Sequence, residues 1–138
     1  IACGIVDGRD LGENARAALI TRGLAEISRL ALAKGARAET LTGLSGLGDL
    51  TLTCTGAGSR NHSLGAELGR GRAIRDVLKS RRSVAEGVFS ARATVTLAER
   101  LGVDMPIAQA VDAVVNREAE IPATIEDLLA RPLKSERR

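Results

Sequence analysis

Aromatic side chains are almost missing from this chain. Its 138 residues include one Phe, no Trp and no Tyr. A hydrophobic core must therefore be assembled from Leu, Ile, Val and Ala. The aromatic platforms on which single-stranded nucleic acid stacks are excluded. Histidine is nearly as scarce. The single His62 rules out a multi-histidine metal site, and no metal is expected. The two cysteines, Cys3 and Cys54, are far apart and lack metal-ligand spacing. Each reads as a small buried hydrophobe rather than half of a disulfide. No apolar run approaches the ~20 residues of a membrane span, so a cytoplasmic chain without a membrane partner is expected. The 20 basic and 17 acidic residues leave a net charge of +3, interleaved and without a long basic run. That balance tolerates an anionic ligand and gives no electrostatic track for nucleic acid.

What is present favours helix. Hydrophobic residues make up 44% of the chain, and Ala and Leu dominate them. A chain of this length suits one domain able to bury a core without staples. Residues 1–6 read as an apolar approach segment and 7–14 as a loop, with Asn14 as a helix cap. From 15 to 34, apolar residues at 19, 20, 24, 27, 30 and 31 recur at helical spacing, and Gly35 is a stop. Gly23 falls inside this helix, where either simple tolerance or close packing of another helix accounts for it. Short helical segments follow at 39–44, 61–68 and 72–79. Ser83 and Glu86 have capping-box spacing at the head of a helix running to Leu101, stopped by Gly102. Asp104 and Pro106 start another, with Ile107, Ala110, Val111, Val114 and Val115 as its stripe. Pro122 opens a last helix, Pro132 ends it, and a charged tail remains. The expected fold class is all-α, in one domain. The chain starts without Met inside an apolar run, as expected of a piece of a longer protein.

One stretch concentrates possible chemistry, GLSGLGDLTLTCTGAGSRN, residues 43–61. Glycines allow tight turns and close approach to a ligand. Asp49 is its acid and Arg60 its base. A glycine-bearing turn delivers Ser59, Arg60 and Asn61 together, a donor set suited to a small polar anion. The plain alternative is a loop between two helices with Arg60 on the surface. The segment LTLTC alternates like a strand and is equally short enough for a helix.

This stretch closely resembles the signature of the bacterial-type NAD(P)-dependent glycerol-3-phosphate dehydrogenases. Three further blocks resemble the same family in the same order: ACGIVDG with GENARAALITRGL near the start, Val84-Ala85-Glu86-Gly87, and Gly102 to Ile107. The resemblance covers nearly the whole chain, and what it matches is the C-terminal, substrate-binding half. It implies a multi-helix fold like the C-terminal domain of 6-phosphogluconate dehydrogenase, with 49–54 helical. It implies glycerol 3-phosphate and dihydroxyacetone phosphate as substrates, NAD or NADP as cofactor, and a homodimer. By motif position, Asp49 and Thr53 are implied as catalytic. Asp49, Ser59, Arg60 and Asn61 are implied to bind substrate, and Arg60, Val84 and Glu86 to contact the cofactor. For Thr53 a hydroxyl bonding back to its own helical turn is the alternative. A non-enzymatic binding or dimerisation module of the same fold is the alternative for the whole chain.

Two departures from the family pattern stand out. Asp10 replaces a glycine in the loop the family writes D-G-L-G-x-G-x-N, which puts the loop shape in question. His62 stands where the family often has Arg or Lys, weakening the local positive charge and making a pH dependence of affinity plausible. The family's catalytic lysine and its dinucleotide-binding half precede the matched segment. Neither Lys34, Lys79 nor Lys134 lies in a family motif, so the chain alone is expected to be inactive.

Overall fold

The computed structural model describes residues 1–56, 58–81 and 86–131, which are helical with no strand among them. In order the elements are α1 (Ala2–Gly8), α2 (Glu13–Ala33), α3 (Ala38–Leu41), a π-helical turn (Leu44–Gly48), α4 (Asp49–Thr55), α5 (Arg60–Gly69), α6 (Ile74–Ser80), α7 (Glu86–Leu101), α8 (Pro106–Arg117) and α9 (Ile121–Leu129). The core is aliphatic, as the lack of aromatics requires. Ile5, Leu64, Leu68, Ile74, Val77, Val88, Val114 and Val115 form one buried cluster drawn from α1, α5, α6, α7 and α8.

The tightest packing joins α1 to α5, and here the sequence-based expectation fails. The segment read as an apolar approach at 1–6, with the start of the loop expected at 7–14, is instead the helix Ala2–Gly8, whose Cys3, Gly4, Ile5 and Val6 are buried. Gly4 falls in the expected approach segment and Gly8 in the expected loop. Four residues apart, they instead share one face, and α5 offers Gly65 and Gly69 at the same spacing. A Cβ on Gly4 or Gly8 would overlap the carbonyls of His62 or Ala66; on Gly65, the carbonyl of Ile1. The two backbones touch, an approach that small residues alone permit.

The long α2 begins at Glu13 with Gly12 before it at φ 91°, rather than at an Asn14 cap. Its apolar stripe is only half-buried, and its one buried residue is Glu26. No atom of another element lies within 4 Å of where a Cβ on Gly23 would sit. Among the described residues, then, no other helix packs closely on Gly23, in keeping with the reading of simple tolerance. Gly35 and Gly102 end their helices as expected, with φ of 86° and 65°. Asp10 takes φ 59°. The loop thus keeps a left-handed residue where the family has glycine, a conformation Asp tolerates better than most side chains.

Glu26 is a cap supplied from across the fold. Its carboxylate accepts from the Ile107 and Ala108 N–H groups at 2.8 and 3.2 Å. Pro106 at the head of α8 has no N–H to satisfy, so Glu26 serves the next two. Burial still raises the Glu26 carboxyl above the usual range, outweighing these two donors. The helices α7 and α8 are tied by a buried Asp112, which accepts from Arg92 Nε at 3.0 Å. The expected cap at Ser83, the start of its helix, and the helix stop at Pro132 lie outside the described residues.

Candidate functional site

The stretch 43–61 folds as a π-helical turn running directly into α4, followed by a glycine-bearing turn into α5. Asp49 is the first residue of α4, its N–H already bonded back into the π-helical turn at Gly46 and Leu44. The helical alternative for LTLTC therefore holds. Thr53 follows Asp49 by one turn. The back-bonding hydroxyl on this helix is that of Thr55, which donates to the Thr51 carbonyl at 2.8 Å. The Thr53 hydroxyl makes no such bond among the described residues, and Thr53 borders a cleft.

That cleft has a volume of about 470 Å³ and is lined by Leu52, Thr53, Gly56, Gly58, Ser59, Arg60, Asn61 and Glu86. It falls within the ~300–1,000 Å³ typical of small-molecule sites. Five of the residues singled out from the sequence, Thr53, Ser59, Arg60, Asn61 and Glu86, thus share one concavity. Asp49 is exposed beside it, one turn earlier on α4. Val84 lies outside the described residues.

The hydrogen bonds around the cleft use up acceptors and leave donors. Ser59 caps α5, its Oγ accepting from the His62 N–H at 3.1 Å. Its own O–H proton remains to donate. Asn61 Oδ1 accepts from the Gly87 N–H at 3.2 Å, leaving the Asn61 amide NH₂ to donate. This bond joins two of the resembled motifs and leaves no room for a side chain at position 87, where a Cβ would overlap Asn61. Arg60, exposed at the first position of α5, adds a guanidinium with five N–H donors. The partial positive charge of the α5 N-terminus faces the same region. An anion meets four kinds of donor here. Glu86, exposed at the start of α7, is the acid of the lining and can accept hydroxyl protons.

His62 does not enter the cleft lining. Its Nε2 donates to Asp7 Oδ2 at 2.7 Å, and Arg16 NH1 reaches both Asp7 oxygens at 3.1 and 3.0 Å. Burial pushes the Asp7 carboxyl upward, but the bonds from His62 and Arg16 outweigh it and hold Asp7 below the ordinary carboxylate range. The replacement of Arg or Lys by His62 therefore ties α5 to α1 instead of simply lowering charge at the cleft.

The sequence reading missed one contact beside the site. Cys3 on α1 is buried and Cys54 on α4 half-buried. Both are free, yet the two thiols lie close enough to shift one another's titration. Cys3 holds Cys54 below the usual thiol range, and is itself pushed well above it. Nothing in sequence spacing 51 residues apart signals such a pair. Among the described residues no group of three or more His, Cys, Asp or Glu side chains could hold a metal. Likewise no described helix is long and apolar enough to cross a membrane.

Fold and cleft together define a class: an all-helical domain with a donor-bearing cleft at a helix N-terminus. The chain belongs to the family of NAD-dependent glycerol-3-phosphate dehydrogenase C-terminal domains, which matches residues 1–126. It is 59% identical over 136 residues to the glycerol-3-phosphate dehydrogenase [NAD(P)+] of Rhodospirillum rubrum, covering 99% of this chain and 39% of that protein. The corresponding protein of Parvibaculum lavamentivorans is 56% identical, with 99% and 41% covered. The crystal structure of glycerol-3-phosphate dehydrogenase from Coxiella burnetii superposes with a TM-score of 0.89 at 42% identity, covering 94% of this chain and 40% of that one. The chain thus spans about two fifths of the length of these relatives.

Proposed function

We propose that this chain is the substrate-binding domain of an NAD(P)-dependent oxidoreductase that interconverts sn-glycerol 3-phosphate and dihydroxyacetone phosphate. The observation that carries the proposal is the donor-lined cleft at the head of α5. Ser59 Oγ and Asn61 Oδ1 each accept one bond from within, and the Ser59 O–H, the Asn61 amide and the Arg60 guanidinium remain as a donor set suited to a phosphate. Arg60 holds the phosphate through paired guanidinium N–H groups, which match phosphate oxygens better than a lysine would. Ser59 and Asn61 donate neutral hydrogen bonds to it.

With the phosphate fixed, the carbinol end of a three-carbon substrate extends toward α4. Thr53 and Asp49 lie on that side. The Thr53 hydroxyl donates to the substrate oxygen, and Asp49 orients the group that takes the hydroxyl proton. Oxidation removes that proton and transfers a hydride from the same carbon; NAD(P)+ supplies the hydride acceptor. The Glu86 carboxylate, in the cleft lining with Arg60, fits a ribose hydroxyl, and motif position makes Arg60 and Val84 further cofactor contacts. The base and the dinucleotide-binding part come from the portion of the enzyme this chain does not span. The full enzyme works as a homodimer in the cytoplasm.

The test compares glycerol 3-phosphate with phosphate-free glycerol in the full-length enzyme and its Arg60→Ala variant. Removing one partner of a desolvated charged contact costs ~2–5 kcal/mol, whereas a solvated surface arginine contributes under ~1 kcal/mol. The expected loss in kcat/KM for glycerol 3-phosphate is roughly thirty-fold or more, with a much smaller loss for glycerol. Equal proportional losses would show that Arg60 does not read the phosphate.

A further inference from the structure

Arg81 follows α6 as its C-cap and is extended there, with φ −102° and ψ 131°. Its guanidinium is largely withdrawn from solvent. The side chain is only 15% exposed and lies along α5. NH1 donates to the Arg60 carbonyl at 3.2 Å. NH2 donates to Ser63 Oγ at 2.8 Å and to Glu67 Oε1 at 2.7 Å. Positions 60, 63 and 67 fall on one helical face, so one planar fork holds two turns of α5 at three points. Arg81 Nε is buried with no hydrogen-bond partner among the described residues. Burying an unsatisfied N–H is unfavourable, and the three bonds made by the other nitrogens must offset it. Glu67, paired also with Arg72, is held below the ordinary carboxylate range, chiefly by the hydrogen bond from Arg81.

The position of this clamp matters more than its strength. The glycine contacts with α1 secure α5 from His62 onward. The first turn precedes those contacts, bonded to α7 through Asn61 Oδ1 and the Gly87 N–H, and follows a chain segment containing Gly56 and Gly58. Arg81 grips the backbone of Arg60 itself, on the first turn, through a carbonyl whose second lone pair is free for it. We propose that Arg81 is a positioning residue for substrate binding: it fixes the first turn of α5 so that Arg60 and Asn61 meet the phosphate already in place. This rests on Arg60 holding that phosphate. Preorganisation of this kind lowers the ordering cost of binding. It acts on affinity for the phosphate end and leaves the reacting carbon untouched.

The experiment is steady-state kinetics on the full-length enzyme carrying Arg81→Met, Arg81→Lys or Ser63→Ala, with Arg60→Ala alongside. Arg81→Met keeps the apolar stem and removes every donor. It should raise KM for glycerol 3-phosphate about tenfold, equivalent to ~1.4 kcal/mol, with kcat and the KM for NAD+ within about twofold of wild type. Arg81→Lys should fall between, because one ammonium cannot reproduce a planar fork. Ser63→Ala, which removes one acceptor, should raise the same KM by about two- to threefold. An unchanged KM in Arg81→Met, or an equal change for phosphate-free glycerol, would overturn the proposal. Should Arg81→Met fail to fold, Ser63→Ala decides, and an unchanged KM there would overturn it. A phosphate-specific loss in Arg60→Ala without any effect at Arg81 refutes the positioning role alone. A flat Arg60→Ala refutes the phosphate reading on which it stands.

Discussion

Gly→Ala substitutions should act with opposite sign at two positions of this chain, both inside helices. At Gly23 on α2 no atom of another element lies within 4 Å of the added methyl. Only the propensity term remains, and Ala is favoured over Gly by ~0.8–1.0 kcal/mol in a helix interior. Gly23→Ala should therefore stabilise by about 0.5–1 kcal/mol. At Gly65 on α5 the same methyl would overlap the Ile1 carbonyl and crowd the Ile5 nitrogen. Both are backbone atoms, which cannot swing aside as a side chain can. Ordinary contact between heavy atoms begins near ~3.5 Å, so α1 and α5 must part along their whole crossing. Overpacking of this kind costs ~1–3 kcal/mol. Set against the ~1 kcal/mol propensity gain, the net result is a loss of up to about 2 kcal/mol. The gap between the two variants is then the overpacking cost itself, roughly 1–3 kcal/mol. At ~3–5 °C per kcal/mol for a domain of this size, that is a Tm difference of about 3–15 °C. Thermal melts followed by circular dichroism at 222 nm measure it directly. Gly65→Ala should also lower activity in the full enzyme, since α5 carries Arg60. Equal stabilisation in both variants would refute the backbone contact between α1 and α5.

Two further outcomes follow from titratable groups. Asp7 is held below its unfolded value, so it contributes stability that is fully present above the ordinary Asp value of ~3.9 and is lost as pH falls through the folded one. Asp7→Asn should lose about 1–2 kcal/mol at pH 7, a gap that narrows as pH falls below the ordinary Asp value; a gap that stays constant on acidification in urea melts would contradict the His62–Asp7–Arg16 assignment. Cys54, depressed by the neighbouring Cys3, should be alkylated by iodoacetamide at neutral pH faster than an ordinary thiol, with buried Cys3 last to react. Cys3→Ala should slow Cys54 labelling, and mass spectrometry showing Cys3 modified first would sink that reading.

The sequence alone determined the fold class, most of the helices and the heart of the cleft. The reason is that these depend on short-range chemistry. Apolar spacing set α2 and α8, whereas for α4 it left strand and helix open and only the family resemblance implied helix; glycine at positive φ ended α2 and α7 at Gly35 and Gly102. Ser59, Arg60 and Asn61 were legible because a capping hydroxyl and its helix N-terminus are neighbours in the chain. Tertiary structure decided the rest. Gly4 and Gly8 read as approach segment and loop until Gly65 and Gly69 are laid against them, and only that crossing turns them into helix contacts. Glu26 is an ordinary surface acid in the pattern of α2 and becomes a cap only where α8 begins beside it. The same holds for the Cys3–Cys54 contact, for the Asn61–Gly87 bond and for Arg81, whose sequence context reads as a charged helix end. In each case the partner lies many residues away. Periodicity records which face of a helix is covered, and carries no record of which distant atom covers it.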